Sequence, residues 1–376
     1  MKPIEIRPVR SHREERIFLT FPWRIYKNDP LWVPPVMSER LKVIDPNRGK
    51  FFQDGYADLF IAWCEREPVG TISCAEDQSA TRSRGIGECL LGFFECKDDY
   101  GIAEALFDRA VQWGNQHNLT RLRGTFNLDR EDSRGILIEG RDRPPAVYCG
   151  HTAPYYPGFF ERYGFKKYGD DSLAYHIDLD LSKPPIQRLL HLAERIKKRK
   201  DIKVRSAKMD QIENEIDRIV DLQNRALAHM PDFSPYTQAA IEAMILPLVN
   251  IADPELVLFA EIGDKAVGWF PAIPNMNEIL IHLNGLLYPW DFLRLLKYAR
   301  YKPKSISIKS VVVPPEYWDT GVSVILFAEM AIRASAKGYT WADMSLTGED
   351  NADTWPLAHR LGAEIYKRYR YYVKDI

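Results

Sequence analysis

The feature of this sequence that most limits its fold is a repeat: short segments of the first half recur, in the same order, in the second half. The pattern at residues 4–7 (IEIR) returns at 202–205 (IKVR). A Leu-Phe pair followed by Val-Gly occupies 59–70 and recurs at 258–268. A repeat in constant order indicates two copies of one supersecondary unit. We therefore expect two similar domains rather than one large domain.

Further along the chain the two copies keep their order but gain separate insertions. Gly101 matches Gly321, and RYG at 162–164 matches RLG at 360–362; the extra segment of the first copy is expected at 132–157. We predict an N-terminal domain over residues 1–180, a helical linker over 181–200 and a C-terminal domain over 201–376. The basic run at 195–200 is expected to be the solvated end of the linker helix, with a phosphate-binding patch as the alternative.

The composition of the chain disfavours several classes of protein. Apolar residues make up 45% of its 376 residues, which is enough for two cores. Lys and Arg number 51 against 52 Asp and Glu, so the overall charge predicts neither a nucleic-acid nor a membrane partner. There is no signal-peptide pattern and no membrane-span pattern, so we expect a cytoplasmic protein. Five cysteines without C-x-x-C spacing and eight scattered histidines predict free thiols and no metal site.

Within each copy the spacing of apolar residues predicts a mixed α/β unit. Strand-like stretches include residues 69–74, 90–96 and 305–313, and helical spacing covers about 101–114 and 321–337. Each of these helices leads into a further strand. We expect two tandem domains, each a twisted and mostly antiparallel sheet flanked by helices.

One segment of the second copy carries a recognisable motif. Residues 313–326 (VPPEYWDTGVSVIL) end a strand, pass through a loop that contains small residues and enter a helix. In spacing, this segment resembles the signature of the GNAT superfamily of acyltransferases. The resemblance implies that the backbone at Gly321, Val322 and Ser323 holds the pyrophosphate of acetyl-CoA or another acyl-CoA, since a helix N-terminus attracts anions.

The same resemblance implies further contacts with the acyl donor. The thioester is expected to lie against the strand at Val311 and Val313, where a backbone N–H would polarise its oxygen. Asn351 falls where the superfamily has an Asn, and it is expected to contribute to the same cofactor site.

The sequence departs from the family pattern in both copies. In the second copy, Trp318 and Asp319 stand in the phosphate loop, and the matching loop of the first copy contains Asp98 and Asp99. Carboxylates repel phosphate, so we expect a degenerate cofactor site in the first copy and a better-preserved one in the second. Residues 82–87 (RSRGIG) also fit a glycine-rich pattern, but we expect them to form only a polar hairpin loop.

A second segment, residues 277–290 (NEILIHLNGLLYPW), resembles one found in an uncharacterised bacterial group of tandem GNAT proteins. It makes Asn277 and Asn284 candidate acceptor-binding residues. Glu349, at the end of a predicted strand, is the candidate general base. The alternative interpretation is that the two Asn side chains cap turns and Glu349 begins a helix.

These features predict an enzyme that transfers an acyl group from acyl-CoA to an amine on an unidentified small molecule or peptide. A non-catalytic tandem GNAT binding protein is the first alternative, because Phe160 and Ala358 replace the tyrosine that many family members use as general acid. The second alternative is a peptidyltransferase that uses aminoacyl-tRNA, which the near-zero net charge disfavours. No pattern indicates an oligomeric state.

Overall fold

The computed structural model describes residues 3–129, 135–229, 235–246, 249, 251–298, 300–350 and 358–376. Their strands form one sheet of seven and one of eight strands, with helices against both. This is the mixed and mostly antiparallel architecture that the sequence predicts. No helix among these residues is long and apolar enough to cross a membrane.

The first half of the chain begins with a strand and three helices and then forms a hairpin. Its elements are β1 (Ile4–Pro8), α1 (His12–Thr20), α2 (Pro22–Ile25), α3 (Met37–Ile44), β2 (Gly55–Cys64), β3 (Glu67–Asp77), α4 (Gln78–Arg84), β4 (Glu88–Cys96), α5 (Tyr100–Gln116), β5 (Arg121–Gly124), β6 (Ile136–Glu139), α6 (Tyr156–Arg162), β7 (Lys166–Lys167) and β8 (Ser172–Asp178). A capping box begins α1, where Glu14 N–H donates to Ser11 Oγ and Arg10 N–H donates to the Glu14 carboxylate.

The second half repeats this order after a connecting helix. Its elements are α7 (Pro184–Lys197), β9 (Ile202–Ser206), α8 (Ile212–Leu227), α9 (Gln238–Ile245), β10 (Val257–Ile262), β11 (Lys265–Pro274), α10 (Asn277–Leu280), α11 (Asp291–Tyr298), β12 (Ser305–Ile308), α12 (Val322–Ala336), β13 (Trp341–Gly348), β14 (Glu364–Arg370) and β15 (Tyr372–Asp375). The long helices α5 and α12 occupy the positions predicted for them. The repeated architecture confirms the predicted tandem arrangement.

The two halves exchange strands. The first sheet has the order β1-β2-β3-β4-β5-β15-β7, so its sixth strand comes from the end of the second half. The second sheet has the order β6-β14-β8-β13-β12-β11-β10-β9, and it takes both β6 and β8 from the first half. In each sheet one neighbouring pair, β4 with β5 or β12 with β13, is parallel. The domain boundaries at residues 180 and 200 stay a prediction.

An apolar core lies between each sheet and its long helix. Leu106 and Phe107 of α5 are fully buried against the first sheet, as are Ile325 and Leu326 of α12 against the second. The connecting helix α7 packs beside α12 and extends the second core. The opposite face of each sheet carries a second apolar cluster, formed with α1 and α3 on the first sheet and with α8 on the second.

Two local expectations can be compared directly with the structure. The connection between β3 and β4, expected to be a plain hairpin loop at residues 82–87, contains the helix α4 and a left-handed turn at Gly85 (φ 68°). The glycine-rich pattern at residues 82–87 therefore lies within the β3–β4 connection and does not lead into a long helix. All five cysteines are free thiols, as predicted.

Candidate functional site

A cavity of about 180 Å³ lies where the two halves meet. Its walls come from β4, the end of β5, the helices that precede β2, and the loop at residues 145–152; Asn277 and Leu280 are contributed by the second half. Most of the wall is apolar, and a few polar groups converge on it. The lining includes Phe18, Leu19, Trp32, Phe93, Glu95, Thr125, Asn127, Ile136, Tyr148, Cys149, His151 and Tyr156.

Glu95 is the most unusual polar group in this wall. It lies on β4 beside a bulge, where the pairing with β3 shifts register between Thr71 and Ser73. Its carboxylate accepts hydrogen bonds from the hydroxyls of Tyr156 (2.6 Å) and Tyr26 (2.9 Å). Burial raises the pKa of Glu95 to about 7, although both hydroxyls and a nearby guanidinium favour the charged form. A carboxyl group with this pKa can accept or release a proton near neutral pH.

His151 forms a second polar pair at the same cavity. Its Nε2 lies 2.7 Å from Asp29 Oδ2, and Asp29 also accepts the backbone N–H of Leu31. Burial lowers the pKa of His151, and Asp29 only partly offsets that effect. The carboxylate holds the proton on Nε2, which leaves Nδ1 as an acceptor. That atom is buried and has no hydrogen-bond partner among the residues the structure describes.

A buried polar network of the second sheet lies next to the cavity. Asp343 on β13 is fully buried; it accepts hydrogen bonds from Ser307 (2.8 Å), Ser345 (2.6 Å) and the hydroxyl of Tyr366 (2.7 Å). Lys309 Nζ lies 3.2 Å from the same carboxylate. These partners satisfy the buried charge, so the network is a stable part of the wall between the two halves.

Cys149 connects this network to the cavity. The thiol lines the cavity, and its Sγ lies 3.0 Å from Ser345 Oγ on β13. Burial raises the pKa of Cys149 to about 11, so the group remains a neutral thiol. Tyr148 also lines the cavity and stacks its ring under the ammonium group of Lys309 at 5.9 Å. The cavity therefore reaches the edge of β13, close to where β12 and β13 stop pairing.

The predicted donor-binding strand continues past the end of β12, and its role in binding a thioester stays a prediction. Beyond β12, Val312 exchanges two backbone hydrogen bonds with Trp269 of β11. Adjacent residues of an extended strand direct their N–H groups to opposite edges, so those of Val311 and Val313 face away from β11. They point to the side on which β13 has separated from β12. Val313 is buried, and its carbonyl accepts the indole N–H of Trp318 at 2.8 Å.

The predicted phosphate loop leads into α12 as expected. Gly321 has a φ of 86° and precedes Val322, which is fully buried, and Ser323, which is partly exposed. The exposed basic run at the end of α7 lies beside this loop, since Lys200 Nζ donates to the carbonyl of Thr320 at 3.0 Å. Both interpretations of that run, a solvated helix end and a phosphate-binding patch, stay predictions. Asn351 lies outside the described residues.

The matching loop of the first half differs. The Asp99 carboxylate caps α5 by accepting the N–H of Gly101 at 2.9 Å. The Asp99 side chain therefore takes one of the N–H groups at this helix terminus, and the degeneracy of the cofactor site in this copy stays a prediction.

The other three predicted site residues lie in different places. Asn277 lines the cavity and donates to the carbonyl of Pro145 at 3.0 Å. Asn284 accepts the indole N–H of Trp23 at 2.8 Å and adopts a positive φ of 49° in a turn. Glu349 is on the surface, paired with Arg368 at 2.5 Å, and it is not part of the cavity wall. Asn277 and Glu349 are therefore not brought together.

The sequence-based interpretation missed Glu95, His151 and the two tyrosines. Glu95 had a visible signal, because it is a charged residue inside the buried strand at residues 90–96. His151, Tyr26 and Tyr156 come from a loop, a helix end and a helix start. No local pattern joins them, and only the folded chain brings them to one cavity.

Comparison with known proteins yields two relatives of the same length. A bacterial ceramide synthase from Caulobacter vibrioides (strain NA1000 / CB15N) is 29% identical over 382 residues and covers 99% of this chain and 98% of that protein. Protein YghO from Escherichia coli (strain K12) is 26% identical over 385 residues, with 99% and 95% covered. No family model matches the chain.

Solved structures share the fold over the full length. A tandem GNAT protein from the clavulanic acid biosynthesis pathway superposes with a TM-score of 0.59 at 12% identity, covering 99% of this chain and 98% of that one. A GCN5-related N-acetyltransferase from Sphaerobacter thermophilus gives a TM-score of 0.51 at 13% identity, with 100% and 97% covered. With its two repeated halves, this chain is a protein of the tandem GNAT fold.

Proposed function

We propose that this chain is an N-acyltransferase that moves an acyl group from a thioester, such as an acyl-CoA, to the amine of a compound with a hydrocarbon chain. The observation that carries this proposal is Glu95, a half-buried carboxyl group in the wall of a largely apolar cavity, with a pKa of about 7. A carboxyl group whose pKa is raised towards neutral pH within a cleft is a candidate general base.

The nature of the acceptor is inferred from the cavity wall. Phe18, Trp32, Phe93 and Leu280 present apolar surface, whereas Glu95 and His151 provide the polar end. Such a cavity suits a molecule with an amine head and a hydrocarbon tail. One relative is named a bacterial ceramide synthase, and a ceramide is the amide of a fatty acid with a long-chain amino alcohol. Amines of that chemical class are the proposed acceptors.

The proposed donor site is the one predicted from the sequence. The pyrophosphate of acyl-CoA would lie over the N-terminus of α12 at Gly321 to Ser323, within reach of the basic end of α7. The thioester would enter between β12 and β13, where the amides of Val311 and Val313 are directed. From there the acyl carbon reaches the cavity past Cys149, which contacts β13. Acetyl-CoA and long-chain acyl-CoA are both candidate donors.

The proposed reaction needs one proton transfer before bond formation. Glu95 takes a proton from the ammonium group, and the free amine attacks the thioester carbon while a backbone N–H stabilises the oxyanion. The C–N bond forms, the C–S bond breaks and the thiolate leaves. The nitrogen loses a second proton as the amide forms and this proton neutralises the thiolate, while Glu95 later releases the first proton to solvent. The hydroxyls of Tyr26 and Tyr156 hold the carboxylate in place.

The test is product formation measured by mass spectrometry, because the free thiols of this chain would interfere with thiol-reactive dyes. Purified protein is incubated with acetyl-, octanoyl- and palmitoyl-CoA, each with sphinganine or with a polar amine such as a lysine peptide. We expect an amide with sphinganine. Amide formation with the peptide but not with sphinganine would contradict the proposed acceptor. The absence of amide in every combination would contradict catalysis.

Two variants identify the base. Glu95→Gln keeps an oxygen that can accept the tyrosine hydroxyls, and it should slow the reaction by about 10²- to 10⁴-fold while acyl-CoA still binds. His151→Asn should have a smaller effect on the maximal rate, since His151 is assigned to the acceptor head group. If His151→Asn removes activity and Glu95→Gln does not, the base is His151.

A further inference from the structure

Helix α11 exposes an unusually large apolar surface. The side chain of Leu296 is 74% exposed, that of Leu293 67%, and that of Phe292 53%; Trp290 just before the helix is 60% exposed. Residues 292–297 of the helix are exposed, whereas its first residue, Asp291, is fully buried. Contiguous apolar patches of this kind mark an interaction site.

The apolar side chains share one side of the helix. At about 100° per residue, Leu295, Phe292, Leu296 and Leu293 fall in succession on an arc of roughly 160°. Arg294 and Lys297 lie on the adjoining polar arc. This is the pattern of a helix that lies in the surface of a membrane, with Leu and Phe on one side and basic residues on the other.

The charge around the helix is one-sided. Between residues 288 and 304 the sequence contains five basic residues, namely Arg294, Lys297, Arg300, Lys302 and Lys304. Its one acidic residue, Asp291, is buried and accepts hydrogen bonds from Asn284 and from the backbone of Tyr288. The surface that this segment presents is therefore cationic as well as apolar.

We propose that α11 and the preceding residues 288–290 bind the surface of a lipid bilayer that contains anionic headgroups. The apolar arc would enter the boundary between headgroups and acyl chains to a depth of about 5–10 Å, and the basic side chains would contact phosphate groups. A second copy of this chain fits the surface less well. Pairing α11 with itself about a twofold axis would bring like charges together. The expectation of no membrane partner was based on the net charge of the whole chain. That sum does not reveal the local excess of basic residues between residues 288 and 304.

The helix is physically connected to the cavity. Asp291 bonds Asn284, which accepts the indole N–H of Trp23, and Trp23 packs edge-on against Trp32 in the cavity wall at 5.0 Å. Docking of α11 would thus hold the cavity near a bilayer, where compounds with hydrocarbon tails are found. The binding itself does not depend on the proposed acyl transfer and can be measured without it.

The experiment is flotation of the full chain with two kinds of vesicle. One contains phosphatidylcholine alone, and the other contains roughly one quarter phosphatidylglycerol. We expect the protein to float with the anionic vesicles and to dissociate as NaCl is raised from about 50 to about 500 mM. The variant L293S/L296S should bind at least tenfold more weakly, because it shortens two exposed side chains and removes no core packing.

A matched variant controls for the loss of exposed apolar surface in general. L192S/I332S changes two side chains that are 45% and 43% exposed on other helices, and it should float like the unmodified chain. Failure of the unmodified chain to float would overturn the proposal, as would an equal loss in both variants. A dimer in solution that L293S/L296S converts to a monomer, without vesicle binding, would assign the surface to a second copy.

Discussion

Replacing Glu95, the acid in the cavity wall, should raise the stability of this protein at alkaline pH relative to its stability at acidic pH. Glu95 has a pKa of about 7 in the folded chain against an ordinary value of 4.5, because burial disfavours its charged form. Well below pH 4.5 the carboxyl group is neutral in both the folded and the unfolded chain, so its burial does not lower the free energy of unfolding. As the pH rises through about 7 the folded chain must carry a buried charge. The raised pKa therefore contributes stability at low pH, which is lost as the pH rises.

The size of the effect follows from the difference between the two pKa values. A difference of about 2.5 units corresponds to about 3 kcal/mol of unfolding free energy at full ionisation. Glu95→Gln removes this titration and retains an acceptor for the two tyrosine hydroxyls. Any constant cost of the amide, such as an unpaired N–H, is the same at every pH. At pH 5 part of this loss has already occurred, so the stability of the variant relative to the native chain should rise by about 2.5 kcal/mol between pH 5 and pH 8.

The assay is urea denaturation of both proteins at pH 5, 6, 7 and 8, followed by tryptophan fluorescence. Other titrating groups are present in both chains, so their contributions cancel in the difference. Glu88→Gln is the matched control: Glu88 also lies buried on β4, but it is paired with Arg123 at 2.9 Å and with two further arginines. This control should be less stable by about 1–3 kcal/mol, because it leaves guanidinium groups unpaired.

A difference between Glu95→Gln and the native chain that is the same at pH 5 and pH 8 would refute the reasoning. It would mean that the carboxyl group is solvated in the folded chain and has an ordinary pKa. The pH dependence of amide formation offers an independent readout. Its rate should rise with an apparent pKa near 7 as Glu95 becomes a base.

Three further substitutions test other parts of the structure. Ser323→Glu should abolish the roughly 2.7 kcal/mol of stabilisation given by acyl-CoA at 100 times its Kd, while an acid in the first turn of α12 keeps the fold intact; a persisting thermal shift would contradict the phosphate site. Asp343→Asn should lower the unfolding free energy by about 2–3 kcal/mol in urea, because Lys309 loses its buried partner. Gly140→Ala should cost at least about 3 kcal/mol, since its Cβ would lie 1.9 Å from a carbonyl oxygen; Gly169→Ala, also at positive φ but in open space, should cost about 1 kcal/mol in the same assay.

The sequence predicts those parts of the fold that depend on local periodicity. Helical spacing placed a helix at about residues 101–114 and another at 321–337, and the structure has α5 at Tyr100–Gln116 and α12 at Val322–Ala336. The exchange of β8 and β15 between the sheets could not be predicted in this way. A strand shows the same alternation whichever sheet it joins, and its partners are chosen by tertiary packing.

The site was less predictable for the same reason. The proposed donor-site residues Gly321, Val322 and Ser323 form one contiguous motif, so spacing alone could propose them. Glu95 and His151 are far apart in sequence and become neighbours only through the packing of separate elements. A charged residue within a buried strand is a signal that can be read without a structure.

The segment that interrupts the repeat also explains why the cavity lies between the halves. Residues 132–157 have no counterpart in the second copy, and this segment supplies β6, which pairs with β14 of the second sheet. The same segment places Cys149 against Ser345 of β13 and carries His151 and Tyr156 to the cavity wall. A duplicated fold provides two similar sheets, and the proposed acceptor site adds residues that the second copy lacks. The insertion supplies them, because it is fixed to the second sheet at one end and packs on the first at the other.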